Sequence, residues 1–140
     1  LGLFPSIHKV NRETMGEVFF PLGIGVSAFF FLPHHLLAFQ FGVLTLTFSD
    51  ALAGIVGESF GKYRISLLKN KKSLEGSLTF SVATFLIAIS VYPDLRTFSL
   101  IIPMAMTSLL ITFVELVLLG GLDNLLLPIV ASYIFKTLVL

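Results

Sequence analysis

The sequence predicts an all-α, polytopic membrane protein: a bundle of about five transmembrane helices forming a single transmembrane domain over residues 1–140. Three observations carry this. The chain is 56% hydrophobic and only 12% charged, with a mean hydropathy of +0.99. A soluble domain would carry about 25% charged residues, so the solvent for most of this surface must be lipid. Five stretches approach the roughly 20 apolar residues that a helix rising ~1.5 Å per residue needs to cross a ~30 Å hydrocarbon core. None of them alternates polar and apolar residues over ten-residue units, so a membrane β-barrel is not expected.

The first stretch runs from about Glu17 to Leu32 and is short, with Pro21, Gly23 and Gly25 inside it. The second runs from Leu36 to about Gly57, and the third from Ser73 to Tyr92. The fourth, Phe98 to Leu119, is interrupted by Pro103, and the fifth runs from Leu122 to Leu140. There are no cysteines, which excludes disulfides and thiolate metal sites. The chain opens with Leu1 rather than Met and has no cleavable leader pattern, so further segments are expected upstream.

Basic loop residues set the orientation. Residues 58–72 hold Lys62, Arg64, Lys69, Lys71 and Lys72 against one acid, Glu58, and the N-terminal stretch adds Lys9 and Arg12. The loop at Pro33-His34-His35 has no Lys or Arg, and the Pro93–Arg96 loop has one charge of each sign. With five crossings, the N-terminus, the 58–72 loop and the Gly120-Gly121 turn share the cytoplasmic side. His34 and His35 then lie at the far interface and are not read as metal ligands.

Ionisable residues inside a membrane are costly and mark candidate sites. Asp50 and Glu115 lie within apolar runs, while Glu75 and Asp123 lie at the cytoplasmic ends of the third and fifth stretches. Four acids from four helices thus approach the basic loop from below. Carboxylates in a partly dry pocket can bind Mg²⁺, which takes one or two of them plus phosphate oxygens. Nearby Lys and Arg can neutralise a triphosphate and the charge that develops in transfer. The arrangement points to phosphoryl or nucleotidyl transfer at headgroup depth. Other uses of the same residues stand beside this one. Ala53, Gly57 and Gly61 recur every four residues, a spacing that also lets membrane helices approach closely. Ser73 also suits a helix N-cap, with Glu75 favoured by the helix dipole. The basic loop also serves to fix topology or attract anionic lipids.

The run Ser49-Asp50-x-x-Ala53-Gly54-x-x-Gly57-x-x-x-Gly61-Lys62, followed by Lys72-Ser73-x-Glu75-Gly76-Ser77, resembles the core of the dolichol kinase and phytol kinase family. Arg12-Glu13-x-x-Gly16-Glu17-x-x-Phe20-Pro21-Leu22-Gly23 and the later Glu115 and Asp123-Asn124-Leu125-x-x-Pro128 look like the same family. Its members are multi-pass membrane proteins that phosphorylate polyprenols, phytol or diacylglycerol, typically with CTP. The resemblance implies a CTP-dependent lipid-alcohol kinase with its site at the cytoplasmic face. On that reading Asp50, with Glu75 or Asp123, holds Mg²⁺, and Lys62 and Lys72 contact the phosphates. Ser73, Gly57, Gly61 and Gly76 let the nucleotide approach, and Asp50 or Glu115 accepts the alcohol proton. The expected partners are a nucleotide and a lipid, with no nucleic acid; the small-residue stripes also permit self-association.

The central run also resembles phosphatidate cytidylyltransferases. Their further C-terminal motif, His-Gly-Gly followed by Asp-Arg and another Asp, is absent here, which favours the kinase. A third reading is a small transporter or structural subunit. An ion path should have polar groups reaching both faces, whereas these acids stop in the cytoplasmic half.

Overall fold

A computed structural model of the chain describes residues 15–67, 70–92, 98–118 and 121–140. Lys9, Arg12, Glu13, Lys69, the Pro93–Arg96 loop and Gly120 lie outside the described residues. Helix dominates. Helix α1 (Gly16–Phe31) has Glu17 in its first turn and stops just ahead of Leu32-Pro33; Leu32 keeps helical dihedrals, and Pro33 has no N–H to continue the bonding. Helix α2 (Leu36–Leu44), a π turn (Thr45–Ser49) and α3 (Asp50–Phe60) join into one rod of 25 residues. Helix α4 (Leu74–Val91), a 3-10 turn (Phe98–Leu100), α5 (Ile101–Val117) and α6 (Leu122–Leu138) complete the chain. The 36–60 rod and α4 are long and apolar enough to cross a membrane; α1 and α5 are shorter apolar helices.

The second helix reaches Phe60 rather than Gly57, so Asp50 stands about 15 Å from its end, three residues deeper than the expected boundary puts it. Pro103 does not interrupt α5 but sits in its first turn, where a missing N–H breaks no helical bond. Within the π turn the Thr47 hydroxyl donates to the Val43 carbonyl at 2.9 Å, the same bond back to residue i−4 that Thr79 and Thr112 make inside regular helix. Further along, the Asp50 N–H bonds five residues back to Thr45 instead of four.

The basic segment expected as a loop contains a hairpin, with β1 (Arg64–Leu67) and β2 (Asn70–Ser73) paired antiparallel from Arg64↔Ser73 to Leu67↔Asn70. Its sequence signal is the alternation of Tyr63, Ile65 and Leu67 with Arg64 and Ser66, a period of two that the run of positive charge obscures. Ser73 then caps α4, its hydroxyl accepting the Gly76 N–H at 3.1 Å.

Helix α6 lies at the centre, packed on α1, α2, the π turn and α5, while α4 packs on α3 and α5. The core holds Phe41 stacked on Phe135 at 4.3 Å, with Phe80, Ile111 and Leu127 fully buried. Two glycines permit the close approach to α6. A Cβ on Gly23 would lie 2.3 Å from the Asn124 carbonyl oxygen, and one on Gly42 would lie 2.3 Å from that of Pro128. Pro128 has no N–H to offer the Asn124 carbonyl, which leaves that oxygen free to face α1. The buried hydroxyls of Ser27 and Ser132 meet at 3.0 Å, and Ser132 also donates to the Pro128 carbonyl at 2.7 Å. Outside this core the surface is apolar: Phe29, Phe30, Ile55, Leu78, Ile102 and Phe113 are all exposed.

Candidate functional site

Helical period divides α3 into three faces. Ala53, Gly57 and Gly61 form one stripe and press against the start of α4. A Cβ on Gly61 would come within 2.8 Å of the Ser73 hydroxyl, and one on Gly76 within 2.8 Å of the Ala53 carbonyl. These small residues therefore bring two helices together, as their spacing allows. The neighbouring stripe, Asp50, Gly54 and Glu58, looks into a cavity of about 240 Å³. The third face, with Ala51, Leu52 and Ile55, is exposed.

Every other wall of the cavity comes from a different element. The hairpin supplies Arg64 and Lys72, α4 supplies Ser73, Gly76 and Ser77, α5 supplies Glu115, and α6 supplies Asp123. Both α4 and α6 begin at this cavity, so their N-terminal ends, which carry partial positive charge, face it. The Lys72 ammonium donates to the Glu115 carboxylate and to the main-chain carbonyl of the same residue. This ion pair ties the hairpin to α5 across the cavity. Asp50 lies within electrostatic reach of Asp123, Glu115 and Lys72. Four carboxylates, Glu58 included, and two cations thus line one small volume.

The structure brings together Asp50, Glu115, Asp123, Lys72, Ser73, Gly57 and Gly76 of the residues expected from sequence. It leaves Glu75, Lys62 and Gly61 out of the wall. The Glu75 carboxylate turns onto the chain itself and accepts the backbone N–H of Lys62 at 3.0 Å and of Tyr63 at 3.3 Å. It thereby fixes the start of the hairpin against the start of α4. The Lys62 side chain is exposed, and Gly61 is spent on helix contact. The Ser73 hydroxyl is committed to the α4 cap, so what it offers the cavity is position. Sequence reasoning missed Arg64, Glu58 and Ser77 as wall residues. Arg64 could have been found from the strand alternation, which separates it from Ile65, and Glu58 from its place eight residues after Asp50.

Among the described residues, no three His, Asp or Glu side chains converge closely enough to hold a metal ion by themselves. That is compatible with Mg²⁺, which binds through one or two carboxylates and completes its shell with substrate phosphates and water. The donor set fits such an ion, because Asp50 and Asp123 face one volume and Glu115 keeps a buried carboxylate oxygen, Oε2, without a partner among the described residues. A buried carboxylate oxygen without a donor is uncommon and calls for a cation, a proton or water.

Comparison with known proteins adds to the geometry. No family model matches the chain. It is 31% identical over 138 residues to a phytol kinase from Synechocystis sp., an alignment covering 96% of this chain and 59% of that protein. It is 50% identical over 46 residues to a dolichol kinase from Schizosaccharomyces pombe, which covers 33% of this chain and 9% of that protein. The chain thus spans little more than half the length of the first relative. No solved structure matches. The resemblance to the dolichol kinase and phytol kinase family, visible first in four motifs, is borne out by these two relatives.

Proposed function

We propose that this chain, similar over nearly its whole length to a phytol kinase, forms the catalytic core of a CTP-dependent lipid-alcohol kinase embedded in a membrane as five helices. The observation that carries the reading is the convergence of Asp50, Asp123 and Glu115 with Lys72 and Arg64 on one cavity, at the end of a bundle whose outside is apolar. Phosphoryl transfer requires positioning and charge stabilisation more than covalent chemistry, and this set of groups supplies both. The basic residues of the hairpin support a cytoplasmic position for the cavity, because Lys and Arg are enriched in cytoplasmic loops.

In the reaction, the lipid hydroxyl oxygen attacks the γ-phosphorus of CTP and the bond from that phosphorus to the β-bridging oxygen breaks. The products are the lipid phosphate, CDP and a proton. Lys72 and Arg64 bind the phosphates, and Arg64 offers a planar fork suited to two phosphate oxygens. The N-terminal ends of α4 and α6 add partial positive charge where the phosphates lie. Asp50 and Asp123 would hold Mg²⁺, in place of the Asp50 and Glu75 pairing that the sequence also allowed, and the chemistry such an ion would supply is neutralisation of phosphate charge. Glu115 gives up Lys72 to the incoming phosphates, and its carboxylate accepts the alcohol proton. Glu75 acts at one remove, by holding the hairpin that carries both cations.

The test uses purified protein in lipid micelles with Mg²⁺ and CTP labelled with ³²P at either the γ or the α position. Polyprenol, phytol, diacylglycerol or phosphatidate is supplied as acceptor and the extracted lipid is counted. Label arriving only from the γ position is the expected result. Label arriving only from the α position would replace the kinase with a cytidylyltransferase. No label from either, in folded protein, would move the site to a transport or structural role.

A further inference from the structure

The 36–60 rod is held differently along its two halves. Its first half, α2 and the π turn, packs on the central helix α6. Beyond the π turn this changes: the substantial neighbours of α3 are α4, the π turn and β2, and neither α6 nor α1 is among them for the described residues. Breaks in regular helical bonding are where helices change direction. Asp50 lies at the branch point, and Asp123 lies on the α6 side of the same cavity. The cavity thus lies between α3 and α6 at the level of Asp50, with no substantial contact between these two helices among the described residues to close that side, which is called the cleft below.

The α3 side of this cleft is open and has an unusual residue on it. Gly54 lies between Asp50 and Glu58 on the cavity stripe, yet it is exposed, and a Cβ built on it would meet nothing within 4 Å. No helix contact requires a glycine here, unlike at Gly57, Gly61 and Gly76. A mid-helix glycine costs about 0.5–1 kcal/mol relative to alanine, and at this position no contact in the fold offsets it. Next around the helix come Ala51 and Ile55, both exposed, and at the start of α6 beside Asp123 is Leu122, also exposed. The cleft therefore has polar groups at its inner end and apolar residues at its outer lips.

We infer that the α3–α6 cleft is the lateral portal through which a long-chain lipid alcohol reaches the cavity from the bilayer, with Gly54 as its threshold. The inference rests on the kinase reading above for the identity of the occupant, a primary alcohol on an apolar chain. The hydroxyl passes Gly54 and stops among Asp50, Asp123 and Glu115. The chain stays outside, lying against Ala51, Ile55 and Leu122. A side chain at position 54 would fill the threshold without touching the fold.

The experiment compares wild type with Gly54→Leu and Gly54→Ala in lipid nanodiscs. Since position 54 is exposed and both residues favour helix over glycine, folding should be retained or improved, which an unfolding titration checks. A prenol carrying a diazirine near its hydroxyl is photolysed with each protein and the labelled peptides are sequenced. In wild type the label should fall on residues 51–55 of α3 and on the start of α6, and Gly54→Leu should lower it at least five-fold. Transfer to long prenol should fall at least ten-fold in Gly54→Leu and less than three-fold in Gly54→Ala. Because position 54 also lines the cavity, the portal is read from a ratio: in Gly54→Leu the loss with long prenol should exceed the loss with a short, water-soluble alcohol at least five-fold. Label between any other pair of helices would overturn the portal, as would equal losses with long and short acceptors. Chain-to-chain crosslinks across the cleft would also overturn it, in favour of a second copy as occupant. If wild type phosphorylates no alcohol, the kinase reading fails, while the labelling map still decides whether this cleft admits a lipid.

Discussion

The Lys72–Glu115 ion pair makes a quantitative prediction. Only 6% of the Glu115 side chain and 20% of the Lys72 side chain are exposed, so both charges are largely withdrawn from water. Lys72→Met keeps an unbranched apolar stem and removes the charge. Glu115, whose Oε2 already lacks a partner among the described residues, would then hold a buried carboxylate without its cation. Removing one partner of a buried pair costs about 3–5 kcal/mol, and the partial exposure of Lys72 puts this case near ~3 kcal/mol. Glu115→Gln should cost about 1 kcal/mol, because an amide oxygen can still accept from Lys72 and no carboxylate is stranded. The double variant strands no charge and should cost about 2 kcal/mol, a coupling of ~2 kcal/mol between the two positions. Reversible unfolding by SDS in mixed micelles, applied to all four proteins, measures this. If the single costs add to within ~0.5 kcal/mol, the pair is not coupled, and the hairpin is not fastened to α5 in the way described.

Four further outcomes are expected. Asp50→Asn should abolish phosphoryl transfer while insertion and unfolding behaviour stay those of wild type; near-normal turnover in a labelled-CTP assay would remove Asp50 from the mechanism. Gly42→Val should destabilise the bundle by at least ~2 kcal/mol, because a Cβ at 42 would sit 2.2 Å from the Ser132 hydroxyl and 2.3 Å from the Pro128 carbonyl. Gly25→Ala, with nothing within 4 Å, should stabilise by about 0.5 kcal/mol, and equal effects at the two sites would contradict the close approach of α2 to α6. Ser73→Ala should cost about 1 kcal/mol through loss of the α4 cap while leaving the KM for CTP within two-fold. A KM raised ten-fold would return the Ser73 hydroxyl to the nucleotide.

The helical class was legible because apolar runs of near-spanning length dominate composition and need no tertiary information. Helix boundaries followed where a cap or breaker is written locally, at Ser73, at Leu32-Pro33 and at Gly121, whose φ of +90° favours glycine. Asp50 and Glu115 were legible as site candidates because a carboxylate in an apolar run needs a reason to be there. Other features depended on direction more than spacing. Glu75 and Lys72 are three residues apart in the same motif, yet one turns back onto the hairpin backbone and the other crosses to α5. No periodicity in the sequence distinguishes those two outcomes. The hairpin was hidden by reading residues 58–72 for charge alone, and Arg64 was hidden with it. The π turn just ahead of Asp50 is announced by no residue pattern, since the Thr47 hydroxyl bond within it also occurs in regular helix at Thr79 and Thr112.

The π turn also gives the rod slack at one place. A regular helix turns about 100° and rises ~1.5 Å per residue, and the bond from the Asp50 N–H to the Thr45 carbonyl takes up one residue more than a regular turn holds. Phe48, within the turn, is exposed and belongs to no part of the core. Its deletion would bring Asp50 four residues from Thr45 and let the same two groups bond as in a regular helix, so Asp50, Gly54 and Glu58 would keep their direction. A residue lost between Asp50 and Glu58, where the bonding is already regular, would instead rotate everything after it by about 100°. The cavity stripe and the small-residue stripe would then turn away from their partners together, while α2 stayed fastened to α6.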